Sequence, residues 1–200
     1  MSDAPVFDEY GALPGHLQNP AKQVMKFTGF FLIVESQQFN WAAYKAAIDN
    51  RPDVNLVIEA YESNKIVQQT NTVSTMVDKI ADLLWKVASS GFDKDAMTER
   101  VSNAFTSLET QENSGFASWS TESSGSNTAF TYRVLFAVPN KHVDTDFYAL
   151  VTTIKLVADI YDKSTWWGLS KTSRHNFSAQ VDTIRLACSK DFIAGPRPTL

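Results

Sequence analysis

Two long runs with strand periodicity dominate the second half of the chain. Apolar residues alternate strictly over residues 130–138, and residues 147–161 then carry apolar side chains at most positions of both parities. The second pattern is typical of a strand covered on both faces, because neither face meets water. Each run reaches the roughly 9–11 residues that a membrane-crossing strand needs, against about 5–6 in an ordinary globular strand. The pattern therefore predicts two unusually long neighbouring strands.

The first half of the chain has mainly helical periodicity. Asn19 and Pro20 form a helix-start signal, since Asn caps a helix and proline is tolerated in its first turn. The longest apolar stripe, from Ile66 to Val87, is followed by Gly91, which is typical of a helix end. The pattern as a whole predicts helices over about 20–35, 40–48, 65–89 and 93–108, and strands over 54–61, 116–120, 130–138, 147–161, 166–169 and 176–188.

This order of elements predicts an α+β fold. Helices come first and long strands follow, so the arrangement favours a three-layer helix/sheet/helix sandwich, in which two helical layers wrap a central antiparallel sheet. The helices lie mainly in residues 19–48 and 65–110, and the sheet mainly in 54–62 and 115–190. The 200 residues contain no long linker and fit the range of about 50–250 residues for one domain. We predict a single domain over residues 1–200.

Composition and charge limit the classes of binding partner that we expect. The chain is 44% hydrophobic and 20% charged, and no window approaches the roughly 18 apolar residues of a membrane helix. The amino terminus lacks the basic head and apolar stretch of a signal peptide, so we expect a cytoplasmic store or non-classical release. The net charge is −4 overall, yet residues 141–200 hold 8 Lys/Arg against 6 Asp/Glu. This distribution favours an anionic lipid or a sulfated glycan over nucleic acid.

A group of basic and aromatic residues in the last third is the candidate site for such a partner. Indole rings lie at headgroup level in membranes, and cations meet anionic headgroups there. A solvated surface above buried tryptophans explains the same pattern equally well. The group comprises Lys163, Trp166, Trp167, Lys171, Arg174, His175 and Arg185.

Signals for enzymatic chemistry are weak. The sequence has no Gly-x-Ser-x-Gly elbow, no phosphate-binding loop and no His-Glu-x-x-His pair. Its three histidines are scattered, and the single Cys188 excludes an intramolecular disulfide and a cysteine-built metal site. We predict no catalytic residues, no metal and no cofactor, and we expect Cys188 to be a small buried apolar residue.

Three blocks of the sequence resemble the Cyt family of cytolytic δ-endotoxins. They are residues 66–70 (IVQQT), which we place at the start of the long helix, residues 105–111 (FTSLETQ) and residues 131–140 (TYRVLFAVPN). The second is similar to the family's Phe-Thr-Asn-Leu-Asp-Thr-Gln, and the third to its Tyr-x-Ile-Leu-Phe-x-Ile-Gln-Asn strand. The chain departs from the family after Asn140, where Lys-His-Val-Asp-Thr replaces Asn-Glu-Asp-Thr-Gly, so receptor preference need not carry over.

The resemblance implies a soluble monomer that binds the membrane of a target cell, forms a homo-oligomer there and permeabilises it without enzymatic chemistry. It also implies that the long strands insert, and that amino-terminal helices are released or mediate oligomerisation. The expected helix residues are Val24, Met25, Phe31 and Leu32. The expected inserting residues are Phe130, Tyr132, Val134, Phe136, Tyr148, Leu150, Ile154, Leu156 and Ile160.

Three alternatives stay open at this point. Helices covering both faces of the sheet explain the two apolar parities without any membrane. The scaffold also suits a lipid- or acyl-binding protein, with Cys188 as a point of acyl attachment. A sulfated-glycan-binding module is the third alternative. The three blocks favour the pore-forming cytolysin.

Overall fold

The computed structural model describes residues 8–9, 13–33, 38–88, 91–113, 117–122 and 127–199. It confirms the predicted three-layer α+β sandwich, in which a central sheet lies between two groups of helices. The helices are α1 (Gly15–Gly29), α2 (Trp41–Asp49), α3 (Val73–Ala88), α4 (Lys94–Phe105), α5 (Leu108–Asn113) and α6 (Lys163–Trp167). The strands are β1 (Asp8–Glu9), β2 (Leu32–Ile33), β3 (Gln38–Phe39), β4 (Leu56–Thr72), β5 (Ala117–Thr121), β6 (Thr128–Pro139), β7 (Asp146–Ala158) and β8 (Arg174–Ser189).

The central sheet has the strand order β1-β6-β7-β8-β4, and β5 also pairs with β6. The pairs β5·β6, β6·β7, β7·β8 and β8·β4 are antiparallel, whereas the short β1 runs parallel to β6. Four of these strands are long, with 17 residues in β4, 12 in β6, 13 in β7 and 16 in β8. The strands β2 and β3 form a separate two-stranded ribbon.

Each face of the sheet has its own apolar core. Helices α3, α4 and α5 pack on one face, which we call the α3–α5 face. Helices α1 and α2 pack on the other, the α1–α2 face. Successive side chains of a strand point to opposite faces, so Leu150 and Ile154 of β7 lie in the first core while Ala149 and Val151 lie in the second. The apolar character of both parities in β7 follows from this double cover.

The helix predicted over 65–89 is wrong in its first eight positions. Residues 65–72 belong to β4, which pairs with β8 as far as Thr72 opposite Arg174, and α3 begins at Val73. The block at 66–70 therefore lies in a strand, not at a helix start. Side chains of Val, Ile and Thr suit a strand better than a helix, and the pairing with β8 decides the outcome. The backbone N–H of Val73 donates to the Ser173 carbonyl at 2.9 Å, where the strand ends.

The first helix is displaced from its predicted position over 20–35. Helix α1 runs from Gly15 to Gly29, follows Pro14 and contains Pro20 in its interior. Pro20 is buried in this helix, so packing outweighs the hydrogen bond that proline cannot donate. The chain turns after Phe30, and Leu32 therefore lies in β2 rather than on the helix.

The strand predicted over 166–169 is also wrong, because residues 163–167 form helix α6. Asp162 caps this helix by accepting a hydrogen bond from the Thr165 backbone N–H at 2.8 Å. A capping aspartate followed by Ser and Thr is a helix-start signal, and it outweighs the strand preference of the two tryptophans. Trp166 points into the core and is 1% exposed.

Other elements follow the sequence prediction closely. Asn40 caps α2 through a bond from the Ala43 N–H at 3.0 Å, and Asp93 caps α4 through bonds from two backbone N–H groups. Leu108, expected at the end of α4, begins the separate helix α5. The strand predicted over 116–120 is β5, whose described part starts at Ala117, and Phe116 lies outside the described residues.

Candidate functional site

The β6–β7 hairpin is a long, regular feature at the centre of the sheet. Its pairing runs without a register shift from Thr128 opposite Ala158 to Pro139 opposite Phe147. At its tip the Asn140 N–H donates to the Asp146 carbonyl at 3.0 Å. The unbroken register places every side chain of one parity on one face along the whole hairpin.

The structure brings most of the expected inserting residues together on the α3–α5 face. Their side chains belong to a single apolar core beneath helices α3, α4 and α5. Tyr148 is half-buried at the edge of this core, and Ile160 lies just beyond the end of β7. The fully covered members are Phe130, Tyr132, Val134, Phe136, Leu150, Ile154 and Leu156.

The opposite face of the hairpin is apolar near the tip and mainly polar farther from it. Near the tip, Phe147, Ala149 and Val151 of β7 pack against α1 and α2. Farther from the tip, Thr153 and Lys155 line a polar cleft with a volume of about 580 Å³. One parity of β7 is thus apolar apart from Thr152, and the other carries the polar residues Thr153 and Lys155 between Val151 and Val157.

Helices α3 to α5 are attached to the sheet mainly by apolar packing. Phe105 of α4 meets Phe177 of β8 edge-on, with ring centroids 5.5 Å apart. The ion pair between Asp82 and Lys94 joins α3 to α4 at 2.7 Å and is solvent-exposed, so it contributes little. A polar tie to the sheet is Arg185 of β8, which donates to the Ala88 carbonyl and to Glu59.

Three of the four residues expected to act in oligomerisation are core residues in this structure. Val24, Met25 and Phe31 are buried on the α1–α2 face, with exposures of 6% or less. Leu32 lies apart from them, in β2. A role for the three buried side chains in assembly would require α1 to leave the sheet.

Aromatic and charged contacts centred on Arg51, which we call the clasp around Arg51, join α1 to the segment after β8. Arg51 lies over the Phe27 ring at 5.5 Å and over the Phe192 ring at 4.7 Å. It also donates to Asp53 at 3.0 Å and to the Ile193 carbonyl at 3.1 Å. The segment that follows β8 is therefore fastened onto α1.

The predicted basic and aromatic group does not form one surface. Trp166 is buried, and Lys163 is paired with Glu112 at 2.7 Å. Arg185 is half-buried, and His175 lies 3.4 Å from Asp159. The members left at the surface are Trp167, Lys171 and Arg174, and Lys171 borders a hollow that also contains Asp78, Asp95 and Glu99.

Two buried titratable groups, the Cys188 thiol and the Tyr132 hydroxyl, have raised pKa values. Burial raises the pKa of the Cys188 thiol well above its ordinary value, mainly by desolvation, so the sulfur is protonated at neutral pH and poorly nucleophilic. Burial likewise raises the pKa of Tyr132, whose hydroxyl has no hydrogen-bond partner among the described residues. Within the described ranges, we find no group of three His, Cys, Asp or Glu residues that could hold a metal.

None of the described helices combines the length and the apolar character needed to cross a membrane.

Sequence reasoning missed the polar cleft. Its residues alternate with core residues along three different strands, as Thr131, Thr153 and Gln180 show. The signal was present as polar positions of one parity in each strand. Only the strand register places them side by side.

Comparisons with known proteins agree with this fold. Residues 35–189 match the family model described as Bacillus thuringiensis toxin. Over 127 residues the chain is 28% identical to the type-1Aa cytolytic delta-endotoxin of Bacillus thuringiensis subsp. morrisoni, covering 62% of this chain and 51% of that protein. Over 134 residues it is 31% identical to the type-1Ba cytolytic delta-endotoxin of subsp. neoleoensis, covering 65% and 49%. The chain thus spans about half the length of these relatives.

A solved structure shows the same architecture. The activated Cyt2Ba monomer of Bacillus thuringiensis subsp. israelensis superposes with a TM-score of 0.76 at 16% identity, over 94% of this chain and 100% of that one. At this identity the likeness establishes the fold alone. The family model matches more than half of the chain, and the chain therefore belongs to the Bacillus thuringiensis toxin family.

Proposed function

We propose that the protein is a pore-forming cytolysin that acts on membranes without enzymatic chemistry. A folded monomer binds the lipid surface of a target cell, helices move off the sheet, long strands enter the bilayer and several copies assemble. The observation that carries this proposal is the unbroken β6–β7 hairpin, whose covered α3–α5 face is apolar over most of its length. The names of the matched relatives, cytolytic delta-endotoxins, support it.

The hairpin is long enough to cross a bilayer. Strand β7 has 13 residues, which at about 3.3 Å per residue extend roughly 43 Å. The hydrocarbon core is about 30 Å thick, so a tilted strand of this length suffices. Because β7 is already paired on both sides by β6 and β8, its backbone groups stay hydrogen-bonded as the strands move together, which a lipid environment demands.

The alternation of side chains along β7 decides which face of the strand meets lipid and which meets water. The face with Leu150, Ile154 and Leu156 meets lipid, because it is apolar over most of the strand. The face with Thr153 and Lys155 meets water or neighbouring strands. The lipid-facing surface is the one beneath α3, α4 and α5. We therefore infer that this layer must lift for insertion, while α1 and α2 cover the other face.

Oligomerisation and membrane docking belong to the same proposal. In a later step, after the α3–α5 layer has lifted, release of α1 would expose Val24, Met25 and Phe31, which are then available for contacts between copies. The exposed Trp167 and Arg174 offer an indole and a cation for an anionic headgroup. Because Lys171 is close to three carboxylates, we expect its contribution to docking to be smaller.

Release of dye from lipid vesicles tests the proposal. Vesicles of phosphatidylcholine, of phosphatidylcholine with anionic lipid, and of phosphatidylcholine with sterol are loaded with a self-quenching dye and mixed with micromolar protein. We expect release from at least one composition, together with a membrane-bound oligomer seen after chemical cross-linking. No release from any of the three, with no bound oligomer, would contradict the proposal.

A further inference from the structure

The polar cleft lies on the α1–α2 face of the sheet, beyond the part that α1 and α2 cover. Its volume of about 580 Å³ is in the usual range of small-molecule sites, about 300–1,000 Å³. Its floor is the sheet itself and is fixed by strand pairing, while Phe39, Glu122 and Asn127 line it from beside the central strands. A rigid floor of this kind holds side chains in fixed relative positions.

The strand register arranges the floor in two polar rows. One row runs across β6, β7, β8 and β4 through Thr131, Lys155, Gln180 and Lys65. The next row contains Thr153 opposite Asp182. Neighbouring strands lie about 4.8 Å apart, so the four members of the first row span about 14 Å. The floor thus presents hydroxyl, amide and charged groups in a regular array.

The charges of the cleft balance. Two lysines, Lys65 and Lys155, and two carboxylates, Glu122 and Asp182, line the cleft, and Lys155 is already paired with Glu122 at 2.7 Å. A balanced cleft gives a strongly anionic ligand no net attraction. Besides these charged groups, the cleft presents hydroxyls and amides, which both donate and accept hydrogen bonds.

The hydroxyl of Thr153, at the floor of the cleft, lacks a hydrogen-bond partner among the described residues. Thr153 is 5% exposed, lines the cleft, and its Oγ1 has no hydrogen-bond partner within the described part of the chain. A buried hydroxyl without a partner is unfavourable, and groups of this kind call for a ligand, a water or another explanation. The oxygen itself has almost no solvent-accessible surface in this conformer, so a ligand hydroxyl in the cleft would supply the missing bond after rotation of the Thr153 side chain about χ1.

The rim of the cleft adds an aromatic surface. Phe39 lines the cleft and is backed by Trp41, with ring centroids 4.3 Å apart. Trp41 in turn contacts Tyr61 at 5.1 Å. One lining ring gives a flat apolar surface, but it does not form the aromatic cage that selects a quaternary ammonium group. A phosphocholine headgroup is therefore a poorer match than a neutral ligand.

We propose that this cleft binds a neutral carbohydrate, whose ring hydroxyls meet the Thr, Gln and charged side chains of the floor and whose C–H face lies against Phe39. The sugar can come from a glycolipid headgroup or from a glycan that is free or attached to protein. Binding at this site does not depend on insertion of the hairpin, so it can be measured in solution without membranes.

The test is an NMR titration of the full chain with lactose, maltose, cellobiose and chitobiose. We expect at least one to bind with a Kd of about 1 mM or tighter, with shifts concentrated at residues 131, 153 and 178–182. Failure of all four sugars to shift these amides would overturn the proposal. So would tighter binding of phosphocholine than of every sugar at the same amides.

A matched pair of variants ties binding to the cleft. Thr153→Val removes the unpaired hydroxyl and is expected to weaken sugar binding about fivefold to tenfold. Thr152→Val makes the same change on the neighbouring residue, whose hydroxyl lies 3.4 Å from Thr183 Oγ1 on the opposite face, and is expected to leave binding unchanged. Equal effects of the two variants would overturn the assignment.

Vesicles distinguish the two sources of sugar. If a glycolipid headgroup is the ligand, vesicles containing lactosylceramide should retain more protein than phosphatidylcholine vesicles, and free lactose should compete. If only the soluble disaccharides bind, the site recognises free or protein-linked glycans. Either result supports a carbohydrate site, and both are separate from dye release.

Discussion

Tyr132 of β6 lies directly opposite Ile154 of β7, and both side chains are fully buried on the α3–α5 face. The pair sits in the interior of the hairpin, where the tyrosine hydroxyl finds no partner among the described residues. Within the described part of the chain, this hydroxyl is thus an unpaired polar group in the surface that we expect to be uncovered. Such a group lowers the stability of the closed form.

Replacing this hydroxyl is the first prediction. Tyr132→Phe should raise the free energy of unfolding by about 1 kcal/mol, because an unsatisfied buried group is removed. Tyr44→Phe is the matched control. The Tyr44 hydroxyl donates to Thr28 Oγ1 at 2.8 Å, so its loss should lower the free energy of unfolding by about 1 kcal/mol. Urea denaturation measures both, and a change of the same sign in the two variants would contradict the interpretation.

The second prediction concerns which helical layer opens. Phe105→Leu loosens α4 against Phe177, and Phe27→Leu loosens α1 on the other face. Each should lower the stability of the monomer by about 1–2 kcal/mol. If the α3–α5 layer lifts, contacts of Phe105 are lost on opening and those of Phe27 are kept. Phe105→Leu should then speed dye release up to about tenfold, while Phe27→Leu leaves its rate unchanged.

The reverse outcome would identify the other helical layer as the one that opens. Faster release with Phe27→Leu and an unchanged rate with Phe105→Leu would show that the amino-terminal layer opens first. Binding to vesicles must be measured for each variant, so that the rates are compared for equal amounts of bound protein.

The third prediction concerns acid stability of the clasp around Arg51. Burial raises the pKa of Asp53, but hydrogen bonds from Arg51 and from the Asn55 N–H outweigh it and hold that pKa below its ordinary value. Because the folded pKa is depressed, Asp53 stabilises the fold above the pKa of the unfolded chain, near 3.9, and this contribution is lost as pH falls through the folded pKa. Asp53→Asn should therefore be less stable than the wild type near pH 6.

The pH dependence distinguishes this effect from a general loss of packing. The difference in melting temperature between wild type and Asp53→Asn should shrink as the pH is lowered from about 6 to about 3. A difference that stays constant over this range would show that the charge of Asp53 has no part in the clasp.

The fourth prediction concerns docking to anionic lipid. Arg174→Gln should weaken binding to vesicles with anionic lipid about fivefold, since one basic residue near such a surface contributes about 1 kcal/mol. Lys163→Gln is the matched control, because Lys163 is already paired with Glu112 and should change binding little. Sedimentation of protein with vesicles at low and moderate salt measures both. An equal loss for the two variants would argue against a local docking site.

Much of the fold could be predicted from the sequence, because its signals are local. The alternation in β6 and the caps at Asn40 and Asp93 specify elements that depend on few distant contacts. The error at residues 65–72 has a different origin. In that segment, Ile66 continues the helical spacing of the apolar residues of α3. Only the pairing of the segment with β8 makes it a strand.

The candidate site was harder to predict, because it depends on register and burial. Sequence identified the apolar residues of the hairpin but could not show that α3, α4 and α5, rather than α1, cover them. It grouped seven basic and aromatic residues by proximity in the chain, whereas burial removes Trp166 and ion pairs occupy Lys163 and Arg185. The cleft row of Thr131, Lys155 and Gln180 comes from three strands.

The central claim is that β7 enters the bilayer with one parity toward lipid. Two half-buried positions report on the two parities, Tyr148 on the face that includes Ile154, and Lys155 on the other. Cysteine is introduced at each by Tyr148→Cys or Lys155→Cys in a Cys188→Ala background, and an environment-sensitive fluorophore is attached. Circular dichroism must first show that the labelled proteins are folded.

Quenching by nitroxide groups on lipid acyl chains is then measured on permeabilised vesicles. We predict a blue shift and strong quenching for the label at position 148, and little quenching for the label at position 155, which stays accessible to aqueous iodide. Dye release without acyl-chain quenching at position 148 would contradict insertion of the hairpin in this orientation.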